Sequence, residues 1–511
     1  MTSDTTTSGS IKNRGRVPDG GVGPAEEIAA SGRSTGSSDP KAGRTFEKLA
    51  RHASGLAIDH RSAEPVPGPK ATASELRKLF DIGLPEEGRD DLEVIDRLAA
   101  AARPGLVGNT GPGFFGWVMG GSHPVGVAAD WLAAAWGQNA AIYGTSPAAA
   151  VAEEVVARWL IDLLRLPSES SVGFATGATM SSFICLAAAR GEVLRRAGYN
   201  LEAEGLFGAP PVSVFIGEEA HTTIFSVLRY LGFGQKNLVV VAADAAGRMR
   251  VDDLTKKLES SDGPKIIVGQ AGHINSGAFD DFLEIADLAR THNAWLHVDG
   301  AFGLWARAVP ELSHQCRGVE AADSWAVDGH KWLQIPYDSG FAIIKDEHAH
   351  KRAMDTAASY ISDGPEDGRN PTQYGPELSR RARGFAVWAV IQSLGKKGIA
   401  NLILGHCLMA RHLKEILEQE PGIKILNEVA LNQLAICFDD SSSTIGVDTL
   451  TDRVIADVRR ENVSFVEGAD WMERRIMRVS IISQATRTED VDSLAGSIIE
   501  GWRRVQRAET L

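Results

Sequence analysis

Cysteine is scarce. The 511-residue chain has four, Cys185, Cys316, Cys407 and Cys437, and no two are spaced for a metal ion or a disulfide framework. That argues against a disulfide-stapled secreted scaffold and a zinc module, and for reduced thiols in a cytoplasmic protein with no metal. Long hydrophobic runs are missing, so no segment reads as a bilayer span. The opening Met1-Thr2-Ser3-Asp4-Thr5 lacks the apolar core of a signal peptide. Positive charge is in deficit, 53 Lys and Arg against 66 Asp and Glu, a net charge of −13. Nothing therefore favours a nucleic acid or an anionic membrane as partner. Internal repeats are also absent.

What remains is a chain of ordinary globular composition, 43% hydrophobic and 23% charged, and too long for one small core. Residues 1–44, rich in Gly, Ser, Thr and Pro, read as a disordered tail. Residues 45–145 form a helical segment, with helical spacing at Leu76, Leu79 and Phe80 and again at Leu92, Ile95 and Leu98. A Gly/aromatic loop from 105 to 121 and a helix over 124–137 complete it. Ser146-Pro147 opens a helix to about 165, with serine as N-cap and proline in the first turn. From 172 to 345, short apolar runs alternate with helical stretches, at 212–216, 238–241, 265–268, 295–298, 324–327 and 340–344. This pattern predicts an α/β domain over 146–385, a mostly parallel sheet with helices on both faces. Beyond it, residues 386–511 read as a small α+β domain. Helices are expected at 380–394 and 397–419, strands at 431–438, 462–466 and 476–482, and a final helix at 488–507 capped by Thr488.

Lys331 is the anomaly in this pattern. It follows Ser324-Trp325-Ala326-Val327-Asp328-Gly329-His330, an apolar and aromatic stretch in which an unpaired lysine is out of place. Desolvation favours a neutral, nucleophilic amine, the state needed for a Schiff base with an aldehyde cofactor. A second isolated charge, Asp299, ends the run Trp295-Leu296-His297-Val298. A lysine with an acid for a pyridine nitrogen is the equipment a protein offers pyridoxal phosphate. Gly173-Phe174-Ala175-Thr176-Gly177-Ala178-Thr179 precedes a helix, where backbone amides receive an anion. Glu218-Glu219-Ala220-His221 follows a strand, and an imidazole there can stack on a ring. Each element has a bland alternative: a solvated loop lysine, an Asx turn at Asp299, a tight turn at Gly177, a helix-capping His221 and a packed His330. Their convergence at the carboxyl ends of successive strands favours one cofactor site.

These segments carry a resemblance. His330-Lys331-Trp332 with Asp338-Ser339-Gly340, His297-Val298-Asp299-Gly300-Ala301-Phe302 and Glu219-Ala220-His221 resemble the group II pyridoxal-phosphate decarboxylases of fold type I. So do Phe114-Phe115-Gly116, Ser146-Pro147-Ala148 and the Arg-rich stretch Glu377–Arg383, and the likeness runs from about Thr72 to the C-terminus. It implies a seven-stranded sheet and an enzyme of amino acid metabolism, a lyase that removes the α-carboxylate of an L-amino acid. By resemblance Lys331 binds the cofactor covalently, Asp299 pairs with the ring nitrogen, His221 stacks above the ring and Ala301 lies beneath it. Ala178, Thr179 and His330 hold the phosphate. Phe115, Trp117 and His273 are expected at the substrate, and a loop within 355–376 is expected to bring a proton donor, Tyr374 or else Tyr360.

The family has asparagine where this chain has Asp328, and an acid beside a phosphate is expected to turn away or to bind it through water. The resemblance also implies a homodimer, with residues 72–145 embracing the partner and Phe115 and Trp117 reaching the neighbouring chain's site. Two other outcomes share Lys331 and Asp299: an aminotransferase, or a decarboxylation-linked aldehyde-forming enzyme. A non-catalytic family member is disfavoured by the retention of Lys331, Asp299 and His221 together. The amino acid stays open among aromatic, acidic and polar.

Overall fold

The segments Lys265–Gln270, Trp295–Asp299 and Ser324–Asp328 are apolar on both sides of the chain, as strands covered on both faces must be. They are β4, β5 and β6 of a seven-stranded sheet completed by β1 (Ser171–Ala175), β2 (Ser213–Gly217), β3 (Leu238–Val241) and β7 (Gly340–Ile344). The structure is a computed structural model that describes residues 40–63, 67–68, 70–356, 369–441 and 443–510.

The strand order is β1-β7-β6-β5-β4-β2-β3. Neighbours pair in parallel except around β7, which runs antiparallel to both β1 and β6. β1 therefore points the same way as β6. The carboxyl ends of β1, β2, β4, β5 and β6 all reach one rim, where open α/β sheets bind ligands. Gly340, the first residue of β7, meets that rim opposite both Ala175 and Asp328. A Cβ on Gly340 would fall 2.4 Å from the Gly177 Cα, so only glycine lets the two turns approach. Trp295, Trp305, Trp325 and Trp332 are fully buried around the sheet.

A second, antiparallel sheet has the order β10-β11-β9-β8, with β8 Ile423–Ile425, β9 Gln433–Phe438, β10 Glu467–Trp471 and β11 Arg474–Ser480. Val454, Val458, Leu494, Ile498 and Trp502, from the helices Val447–Glu461 and Thr488–Thr510, join its core. Contacts group the described residues up to His60 with Leu84–Ala99 as one unit, and Arg61–Gly83 with the chain from Ala100 onward as another. In the first unit His52 Nε2 lies 2.6 Å from Asp96 Oδ1. Among the described residues no helix is long and apolar enough to cross a membrane.

Several boundaries differ from the sequence reading. Helix begins at Pro40, inside the stretch expected to be a disordered tail; residues 1–39 of that tail lie outside the described residues. The helices expected at 380–394 and 397–419 are one element, Gly384–Leu417, broken only at Gly395 with φ 60° and ψ 176°. Its first half feeds the core of the large sheet and its last turns that of the small sheet. Among the described residues no strand of the sheet covers the expected 462–466: Asn462 takes a left-handed conformation that ends the preceding helix, Phe465 is drawn to the loop at Gly113 and Phe115, and β10 starts only at Glu467. Thr488 lies inside the last helix, and Asp490 instead accepts from the Arg487 amide at 2.7 Å. Ser146 precedes its helix as expected, but its buried hydroxyl caps nothing.

Candidate active site

At the common rim lies a cavity of about 290 Å³, lined by residues that follow five strands. They are Thr176–Thr179 after β1, His221 and Thr223 after β2, and Gln270, Gly272 and Ile274 at β4. Asp299, Ala301 and Phe302 come from β5, and Asp328, His330 and Lys331 from β6. The structure thus brings together seven of the residues singled out from sequence: Ala178, Thr179, His221, Asp299, Ala301, His330 and Lys331.

Lys331 sits in the turn after β6. Its Nζ is 2.9 Å from Asp328 Oδ2 and 5.9 Å from the centre of the Phe302 ring. The turn is fixed from three sides. The Trp332 indole donates to His406 Nδ1 at 3.1 Å. Gly120 donates its amide to the His330 carbonyl at 3.2 Å, and a Cβ there would lie 2.4 Å from the carbonyl oxygens of His330 and Lys331. Gln334, a residue the sequence reading missed, donates to the carbonyls of Lys331 (3.1 Å), Trp332 (3.3 Å) and Ile482 (2.8 Å). Its Oε1 accepts from the amides of Gly121 (2.7 Å) and Gln484 (3.2 Å). Gln334 thereby ties the lysine turn to the Gly/aromatic loop and to the small domain. A glutamine inside an apolar stretch was the signal.

Asp299 ends β5, 6% exposed, and its Oδ1 accepts from the Ala301 amide at 3.2 Å. Burial raises its pKa, while the charges of His221 and Lys331 pull the other way. His221 caps the helix Thr222–Tyr230, so the capping and the cavity-lining readings both hold. Its Nδ1 lies 2.7 Å from Thr223 Oγ1, and its amide donates to Gln270 Oε1 at 3.1 Å. Gln270 is held in turn by buried Asp280, which accepts from the amides of Gln270 and Met249, each at 2.7 Å. Burial lowers the pKa of both His221 and His330. The His330 ring lies 4.3 Å from that of Tyr337, and its Nδ1 accepts from the Ser339 amide at 3.2 Å.

Other expected site residues stand elsewhere. Phe115 is fully buried in the core of the small sheet, bonded through its backbone to Phe465 and Ser480, and is no wall of this cavity. Trp117 is half-exposed, stacked on Phe114 and tilted against Phe465. His273 is buried behind the rim, its Nδ1 accepting from the amides of Asn275 (3.2 Å) and Ser276 (3.3 Å); burial lowers its pKa to about 4. Tyr374 does not enter the cavity of its own chain. Its hydroxyl donates to Glu347 Oε1 at 2.5 Å and the Arg369 guanidinium covers its ring at 3.8 Å. Tyr360 and most of the expected loop, residues 357–368, lie outside the described residues. Asp328 lines the cavity, and its Oδ1 accepts from the Ala178 amide at 2.6 Å.

Arg478 is a second residue the sequence reading missed. It lies in β11, buried, with Nη1 3.4 Å from Asn275 Oδ1, Nε unpaired and no ion pair among the described residues. Its charge adds to the lowering of the His221 pKa, which places it within electrostatic reach of the cavity. An arginine between Met477 and Val479 in an apolar strand was its signal.

The donor set fits pyridoxal phosphate. A lysine amine, a buried strand-end carboxyl, a cavity-facing imidazole and an uncapped helix N-terminus at Gly177 share one pocket. Asp328 on the Ala178 amide is the one feature that conflicts with a phosphate there.

Comparison with known proteins agrees. The model of the pyridoxal-dependent decarboxylase conserved domain matches residues 74–440. The aromatic-L-amino-acid decarboxylase of Bacillus atrophaeus is 25% identical over 458 residues, 87% of this chain and 93% of that protein. The phenylacetaldehyde synthase of Arabidopsis thaliana is 26% identical over 366 residues, 69% of this chain and 73% of that one. The crystal structure of Oryza sativa TDC with PLP and tryptamine shares the fold, with a TM-score of 0.85 at 19% identity over 92% of this chain and 99% of that one. With the lysine, the aspartate and the helix N-terminus meeting in one cavity and the family model spanning residues 74–440, this chain belongs to the pyridoxal-dependent decarboxylase family and uses pyridoxal phosphate as its cofactor.

Proposed function

We propose that the chain removes the α-carboxylate of an L-amino acid as CO2 and returns the amine. The observation that carries this reading is the meeting of Lys331 and Asp299 in one cavity beside the helix N-terminus at Ala178. Bound there, pyridoxal phosphate supplies an electron sink for the pair left by the departing carboxylate. Lys331 would hold the aldehyde carbon of the cofactor through its amine. Asp299, a buried carboxyl, would keep a proton at the ring nitrogen. His221 and Ala301 would flank the cofactor ring, and Ala178, Thr179 and His330 would hold its phosphate. Arg478, a buried cation whose cross-strand acid Glu467 is bonded to Arg459, would anchor an incoming carboxylate.

A second reading, decarboxylation in which O2 takes up two electrons so that aldehyde, ammonia and hydrogen peroxide leave with CO2, is favoured by one observation. The Tyr374 phenol is bonded to Glu347 and does not line the cavity of its own chain. Incubation with each common amino acid, with assays for CO2, amine, keto acid and aldehyde, decides between the readings. CO2 with amine supports the first and CO2 with aldehyde the second; keto acid without CO2 defeats both.

The same reading includes a homodimer. Trp131, Leu132, Trp136 and Trp388 stand exposed on the helices Pro124–Trp136 and Gly384–Leu417, which pack together and leave an apolar face for a second copy. A fully active monomer in sedimentation would remove this part.

A further inference from the structure

Asp328 stands where an anion is expected from outside. The helix Ala178–Arg196 begins at Gly177, which offers no side chain to cap it, so the first amides are left for a ligand. One of them, the Ala178 amide, is already taken by Asp328 Oδ1 at 2.6 Å. The same carboxylate holds Lys331 Nζ at 2.9 Å through Oδ2, and His330 Nε2 lies 3.5 Å from Oδ1. The acid is 3% exposed, so these protein groups take the place of water around it.

Its backbone is pinned. The Asp328 amide donates to the Ala301 carbonyl at 2.9 Å, and the Asp328 carbonyl accepts from the Trp305 indole at 2.9 Å. Paired with Gly340 across β6 and β7, the residue has its side-chain rotation left as the way out. A phosphate that takes the Ala178 amide must displace this carboxylate. The aldehyde, by engaging Lys331, removes its second partner as well. A buried acid that loses two partners beside a phosphate is unfavourable.

We propose that Asp328 is an internal occupant of the phosphate subsite and sets how tightly this chain holds its cofactor. Without cofactor it satisfies the helix N-terminus and balances the charge of Lys331. With cofactor it is the group that must yield, so the phosphate contributes less to affinity than an empty helix N-terminus would allow. The proposal rests on the assignment of this cavity to pyridoxal phosphate, and one comparison isolates it. Pyridoxal, which lacks the phosphate, engages Lys331 but has no need of the Ala178 amide.

The full-length chain is stripped of cofactor, and absorbance titrations with pyridoxal phosphate and with pyridoxal are compared for wild type, Asp328→Asn and Asp328→Ala. In both variants the preference for the phosphorylated form over pyridoxal rises by about tenfold or more, on the scale of one charge-assisted hydrogen bond. The cofactor-free variants also melt below cofactor-free wild type, because the lysine and the helix N-terminus lose their partner. A preference that is unchanged or falls overturns the proposal, as does an equal gain for both ligands. Wild type also decides alone, should neither variant fold. Its own preference for the phosphorylated form stays under about a hundredfold, and a larger one overturns the proposal. If wild type shows no absorbance change with either ligand, it is the assignment of the cavity that fails, not the role of Asp328 within it.

Discussion

Replacing Asp299 with asparagine removes a charge and keeps a shape. The Oδ1 of asparagine can still accept from the Ala301 amide, the one hydrogen bond this side chain makes at 3.2 Å, so the turn after β5 survives. What disappears is a carboxylate 6% exposed in a pocket too dry to replace it with water. A charge pair in contact at an effective dielectric constant of about 20 amounts to ~4 kcal/mol. Losing most of it at the ring nitrogen slows the chemical step by about 10²- to 10³-fold. Stability moves differently. Burial raises the pKa of Asp299 in the cofactor-free fold. Its contribution to stability is therefore complete below the unfolded pKa and lost as pH rises through the folded one. At neutral pH the buried charge is a liability, and cofactor-free Asp299→Asn melts no lower than wild type. Measured together, kcat for CO2 release and the melting temperature of the stripped protein separate the two effects. A loss of less than about tenfold, ~1.4 kcal/mol, or a clear drop in melting temperature refutes the reasoning.

Arg478→Gln raises KM for the amino acid by about tenfold or more, with a smaller effect on kcat, as loss of a ground-state carboxylate contact requires; an unchanged KM removes Arg478 from substrate binding. Burial depresses four histidines, His273 and His406 to about 4 and His297 and His350 to about 3. For such groups stability is present above the unfolded value and is lost as pH falls through the folded ones, so thermal melts drop by several degrees between pH 6.5 and pH 4. A flat profile there contradicts their neutral burial. Tyr374→Phe removes a hydrogen bond to a half-exposed Glu347, costs ~1 kcal/mol in denaturant unfolding and leaves the amine-to-aldehyde ratio unchanged. A shifted ratio shows that the phenol reaches the chemistry after all.

The sheet was legible because its strands are uniformly apolar and end in the residues that matter. Asp299 and Lys331 betray themselves as isolated charges after apolar runs. Their convergence follows from parallel strands that share one rim. Long-range pairing was not legible. Phe115 sits in a Gly/aromatic loop that reads as a pocket wall, yet backbone bonds to Phe465 and Ser480 draw it into another core. His273 follows β4 as a site residue would, but the turn it caps directs it behind the rim. Tyr374 is claimed by Glu347 and Arg369, partners that no local pattern marks. The charge of Asp328 predicts repulsion from a phosphate, and no local pattern shows that it meets the Ala178 amide across 150 residues of sequence. Gln334 and Arg478 were each visible as a polar residue in an apolar stretch, and only the fold shows what they hold.

The most direct test of the account is where the cofactor attaches. Wild-type protein loaded with pyridoxal phosphate, reduced with borohydride, digested and analysed by mass spectrometry should carry the reduced phosphopyridoxyl group on the peptide containing Lys331. Lys331→Ala, folded and treated in the same way, should carry none and release no CO2. A label on any other lysine, or normal turnover by folded Lys331→Ala, contradicts the account.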